Sequence, residues 1–146
     1  MREARRLALI ARQGLIADVA RKQALRAMAE ALDTEARSHA LAARSRMLVA
    51  ATAPRPADTT GAVLAGRAAF TASLSQLSAT AGAAAHDAAR QTIWQAEALA
   101  LADTRAKRLG EREAEARAAV DAAKARRAQA HEASTLARKL QSKTRA

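Results

Sequence analysis

Helix breakers gather at one place in this chain, and that placement decides most of what it can fold into. Both prolines, Pro54 and Pro56, lie within residues 52–61, beside the capping run Asp58-Thr59-Thr60 and a glycine, Gly61. Proline clashes with the preceding helical turn, and Ser, Thr or Asp before an apolar run marks a helix start. The pattern predicts helix one over residues 2–52, a turn over 53–61 with Thr59 or Thr60 as N-cap, helix two over 62–140 and a tail over 141–146. Residues 1–146 then make one helical hairpin with unequal arms.

What those helices bury is set by the kind of apolar residue present. The chain holds 46 Ala against 27 larger apolar side chains, so most of its hydrophobic half consists of methyl groups. Ala, Leu, Arg, Glu and Lys favour helix, and β-branched and aromatic residues are few, which predicts an all-α chain. Methyl groups cannot fill a thick core. Long helices with thin apolar stripes bury them most simply by pairing as an antiparallel coiled coil.

Stepping alternately by four and three from Phe70 through Leu74, Leu77, Ala81, Ala84 and Ala88 to Leu140 meets apolar residues at 16 of 21 positions, against 19 of the other 50. That stepping is the expected seam of helix two. In helix one the best comparable phase passes through Ala4, Ala8, Ala11, Leu15, Leu25, Ala29 and Leu32, with 10 of 14 positions apolar. Leu41 and Leu48 lie off it, which predicts a register shift partway along. Ile93, Trp94, Leu99 and Leu101 also miss the seam expected in helix two. Gly82 and Gly110 fall inside helix two, each costing about 1 kcal/mol relative to Ala.

Charge is segregated along the chain. Residues 1–52 carry 10 basic and 5 acidic side chains, residues 53–104 carry 3 and 4, and residues 105–146 carry 12 and 5. An antiparallel hairpin would have a near-neutral turn end and a basic open end, the latter suited to acidic partners.

The residues offer no catalytic constellation and no cofactor site. His39, His86 and His131 stand far apart, there is no close-set ligand group, and phosphate-cradling glycine loops are absent. Zero Cys removes disulfides, thiolate metal sites and cysteine nucleophiles. Glu111, Glu113 and Glu115 fan around a helix and read as a solvated charged face. The expectation is a non-enzymatic protein that binds other macromolecules. With no apolar leader at the Met1–Arg6 start and no membrane-length apolar run, it is expected to be soluble and cytoplasmic.

Candidate partner-binding residues fall in two groups. Phe70, Leu74 and Leu77 form the bulkiest cluster of helix two, either as seam facing Ala43, Met47 and Val49 or as a partly exposed docking patch. Trp94 divides in the same way between coil filler and interface anchor. The basic stretch of Arg105, Lys107, Arg108 and Arg112 suits an acidic protein or an anionic membrane surface or, as a different class, nucleic acid. Nucleic acid is disfavoured by the interleaved acidic residues and by having only two aromatic side chains to stack on bases.

A helix of about fifty residues, a Pro/Gly turn, a longer second helix opening on Phe70-x-x-x-Leu74-x-x-Leu77, and a basic C-terminal extension together resemble the FliJ family of the bacterial flagellar type III export apparatus. The resemblance implies a cytoplasmic coiled-coil stalk or chaperone, peripherally associated with the inner membrane at the flagellar base. Its partners would be the export ATPase ring, the cytoplasmic part of the export gate and substrate chaperones, in the service of flagellum biogenesis and motility. Gate and ATPase contacts would map onto Phe70, Leu74 and Leu77. Family members carry aromatic residues on the facing part of helix one, near Ala43 and Met47, where this chain has none. The equivalent stalk of a virulence-type secretion system and an Ala-rich nucleoid protein that binds DNA are the competing readings.

Overall fold

The computed structural model describes residues 2–53 and 60–144. Two helices account for nearly all of them, α1 over Arg2–Thr52 and α2 over Gly61–Thr144, and no described residue lies in a strand. Of the expected turn over 53–61, residues 54–59, including Thr59, lie outside the described residues. Thr60 is the N-cap: its hydroxyl oxygen accepts a hydrogen bond from the Val63 backbone N–H at 3.4 Å, and its carbonyl accepts the first helical bond from Leu64 at 3.1 Å. α2 continues through residues 141–144, where a tail was expected. The helix also passes through Gly82 and Gly110 without a positive φ.

Contacts divide the chain into two compact units, each containing a stretch of both helices. The first combines Met1–Arg21 with Ala102–Ala146, and the second is Lys22–Leu101. The helices run antiparallel in each. In the first unit Arg21 Nε donates to Asp103 Oδ1 at 2.5 Å, and Gly14 lies beside Glu113. In the second, Thr71 Oγ1 donates to the Thr52 carbonyl at 3.0 Å, and Ala42 packs with Ala81 and Ala85. Partner numbers fall along α2 as they rise along α1, and the fold is an all-α antiparallel pairing of two long helices.

Most covered positions recur at alternating threes and fours, the spacing of a coiled-coil seam, while Ala11, Ala27, Gly82, Ala89, Ala98 and Thr135 are partly covered off that spacing. In the first unit the seam positions are Leu7, Ile10, Gly14 and Ala17 on α1, against Ala102, Ala106, Leu109, Glu113, Ala116, Val120 and Ala123 on α2. In the second they are Ala24, Met28, Ala31, Glu35, Ser38, Ala42, Ser45, Val49 and Thr52, against Arg67, Thr71, Leu74, Ser78, Ala81, Ala85, Ala88, Thr92, Gln95 and Leu99. The α1 seam thus lies one residue ahead of the expected phase and runs through residues 41–48 without a register shift. On α2 the expected positions Leu74, Ala81, Ala88, Gln95, Ala98, Ala102, Leu109, Ala116 and Ala123 are covered, seven others from Phe70 to Ala119 lie one residue before a covered position, and Arg126, Ala130, Ala133, Ala137 and Leu140 are exposed. Leu99, expected off the seam, is on it.

Small side chains dominate this contact. Seven of the eight buried apolar residues are alanines, the other is Leu109, and no large side chain among the described residues is fully buried. Such a seam lets helix axes approach to the near end of the ~8–10 Å range, so that methyl groups and backbone atoms make the dispersion contacts. Each buried methyl contributes only about 0.8 kcal/mol, so every turn is weakly held. Hydroxyls fit the seam because they bond the preceding turn of their own helix: Thr92, the one buried polar residue among those described, donates to the Ala88 carbonyl at 3.1 Å. Thr71 does more, since its bond to Thr52 satisfies one of the carbonyls that the end of α1 leaves without a helical partner.

Two stability outcomes follow. A Cβ at Gly82 or Gly110 would meet nothing within 4 Å, so Gly82→Ala and Gly110→Ala should each raise unfolding free energy by about 1 kcal/mol in chemical denaturation. Ala85→Leu should instead cost about 1–3 kcal/mol by forcing the close-packed seam apart. Equal tolerance at Ala85 and at the exposed Leu77 would contradict the seam assignment.

Candidate functional site

Close packing on methyl groups pushes bulk outward. Every large apolar residue that is covered (Leu7, Ile10, Met28, Val49, Leu74, Leu99, Leu109 and Val120) sits on the seam. Eighteen others are exposed, an unusual load for a chain of this size. Where they fall is set by the heptad.

In the second unit, Leu41 and Leu48 each immediately precede a seam residue of α1, as Phe70 and Leu77 precede Thr71 and Ser78 on α2. In an antiparallel pair these flanking positions of the two helices share one side of the contact. Phe70 and Leu77 are 57% and 62% exposed, whereas Leu74 between them is half-buried in the seam. The predicted cluster is therefore divided: Leu74 holds the hairpin, and Phe70 and Leu77 face outward. Of the expected partners on helix one, only Val49 lies in the seam, while Ala43 and Met47 are exposed. Trp94, 65% exposed, stands one position further round the same side of α2, with Leu101 one heptad beyond it. Sequence reasoning named Phe70, Leu77 and Trp94 but took Leu41 and Leu48 for a register shift; their place one residue ahead of the seam was the missed signal.

This face carries little charge. Between Arg67 and Asp87, α2 has no Asp, Glu, Lys or Arg for nineteen residues, and besides Phe70, Leu77 and His86 its outward positions there are Ala, Ser, Thr and Gln. The opposite flank of the unit shows a second, smaller apolar set in Leu25, Leu32 and Ile93.

Chemistry is reversed in the first unit, which holds 17 basic and 8 acidic side chains, +9 of the chain's +11. Arg105, Lys107, Arg108 and Arg112 are all exposed, and among the described residues none of the four forms an ion pair. Three of them, Arg105, Arg108 and Arg112, recur at three and four residues and make one stripe, with Lys107 on another side of the helix. Arg112 shares a shallow groove with Arg6, Glu3, Glu115 and Ala116. The Glu3 carboxyl is held below the ordinary glutamate value, first by a backbone N–H of the opening helical turn and further by Arg127 and Arg126. The glutamates are not all solvated: Glu113 is half-buried beside Gly14 and pairs with Arg117 at 3.1 Å.

His39 approaches Glu35 at 3.7 Å, and no group of three His, Asp or Glu among the described residues is placed to hold a metal ion. No helix is long and apolar enough, over the described residues, to cross a membrane. Comparison with protein-family models, curated proteins and solved structures finds no match. The assignment of function therefore rests on the two faces.

The division of the cluster is open to test in dilute solution. Leu74→Ala should lower the urea midpoint, whereas Phe70→Ala and Leu77→Ala should each stay within about 0.5 kcal/mol of the parent, as surface substitutions do. Equal losses at all three would return the whole cluster to the core.

Proposed function

We propose that the chain is a non-enzymatic adaptor of bacterial flagellar type III protein export. In this reading the basic first unit engages acidic surface of the export ATPase ring, and the apolar face around Phe70 and Leu77 engages the cytoplasmic part of the export gate. The protein would work in the cytoplasm, peripherally associated with the inner membrane at the flagellar base, and would assist substrates and their chaperones there. The observation that supports it best is the coexistence of two surfaces of different chemistry, one in a unit of net charge +9 and one rich in bulky apolar side chains, on a helical scaffold too thin to hold a catalytic cleft. The resemblance to the FliJ family in arm lengths, turn and the Phe70-to-Leu77 run supplies the identity of the partners.

The basic face also favours a second reading, in which Arg105, Arg108 and Arg112 neutralise nucleic-acid phosphates. Such binding would weaken steeply with salt and would not need Phe70. A stalk of a virulence-type secretion system differs from the main reading only in which ATPase it meets.

Titrating the purified chain into the flagellar export ATPase of the same organism separates these readings. ATP hydrolysis and ring formation should both rise at about one chain per ring. Charge reversal of Arg105, Arg108 and Arg112 should abolish the effect, because long-range attraction to the ring would be lost. An active ATPase that ignores a helical chain would remove the export reading, and salt-sensitive retention of duplex DNA would replace it.

A further inference from the structure

The apolar face of the second unit is large enough, and neutral enough, to bind itself. We propose that two copies of this chain pair through it, the side bearing Leu41, Leu48, Phe70, Leu77, Trp94 and Leu101, to form a four-helix bundle over residues 22–52 and 61–101. These six side chains are between 47% and 73% exposed. Together they offer roughly 800 Å² of apolar surface per copy, the share each partner contributes to a standard specific interface.

The charge pattern selects the occupant. A two-fold contact sets a surface against its own copy, so any net charge on it repels itself. Here the stretch of α2 from residue 68 to residue 86, which carries Phe70 and Leu77, has no charged side chain, and a highly charged partner would find no counter-charges on it. Elsewhere on this side the charged residues are Glu30, Arg37 and Arg44 on α1 and Asp87 on α2, which mix both signs. On this side of α2 between Phe70 and Asp87 the other positions, Ser73, Thr80 and Ala84, are as small as the seam residues and permit close approach of a third and a fourth helix. A lone hairpin leaves this bulk in water for the sake of its thin seam; a pair of hairpins places it in a common core. The inference does not depend on the export reading, because its test needs no other protein; where both hold, the second copy and the gate take this face in turn.

The experiment is sedimentation equilibrium of the full chain across the micromolar range, with Trp94 emission followed in parallel. A dimer is expected, with emission moving to shorter wavelength as the dimer forms. Phe70→Glu combined with Leu77→Glu should give a helical monomer with unshifted emission, and Leu25→Glu combined with Leu32→Glu, on the opposite flank, should remain dimeric. Should the glutamate pair at 70 and 77 lose helicity, Phe70→Ala with Leu77→Ala replaces it and should weaken association more than about tenfold. A parent chain that stays monomeric, a dimer indifferent to Phe70 and Leu77, or one broken only from the Leu25 and Leu32 side overturns the proposal.

Discussion

Contact between alanine methyl groups across two antiparallel helices is the constraint from which the other features follow. Methyl knobs are short, so the backbones come close and larger side chains fit only at intervals along the seam. The bulk that cannot enter is left on the flanks. A coiled coil built on Leu would cover its large residues and show a charged exterior; this one covers Ala, Ser and Thr and shows Leu, Phe and Trp. Its stability per turn is low and its exposed apolar load is high, the combination expected of a chain that completes its core with something else.

The extent of the helices was legible because breakers occur in one place and the residues elsewhere are strong helix formers. Thr60 could be named as a cap candidate from its position before Gly61 alone. The seam was harder to read, and for a definite reason. Apolar counting gives Leu and Ala equal weight, and in α1 28 of 51 residues are apolar, so every phase scores well. The count favoured Leu15, Leu25 and Leu32, whereas the structure covers Gly14, Ala24 and Ala31 and exposes those leucines. Close packing selects for smallness, and a search for the smallest stripe in place of the most apolar one would have found the phase.

The candidate surfaces were legible to the same degree. Charge segregation is a property of composition and needs no register, so the basic face of the first unit could be anticipated residue by residue. The apolar face depends on which side of the helix is covered, so only its most conspicuous members, Phe70, Leu77 and Trp94, were visible in advance. Leu41 and Leu48 joined them once the heptad of α1 was fixed. Glu113 shows the converse: it looked like part of a solvated run, yet the small size of Gly14 opposite gives its stem room to lie against α1.

A seam rich in small side chains has one more property. Sliding one helix past the other by a heptad exchanges alanine for alanine at Ala17, Ala24, Ala81 and Ala116, so packing there distinguishes neighbouring alignments poorly. Directional bonds must then act as the latch. In the second unit that role falls to the Thr71 hydroxyl on the Thr52 carbonyl, and in the first to the Arg21 guanidinium on Asp103. Both lie at the surface or half-buried, where water competes for them and each contributes little. Within each unit the helices are thus held side by side by many weak, interchangeable contacts and held in step by few, which makes axial slip the softest distortion this architecture allows.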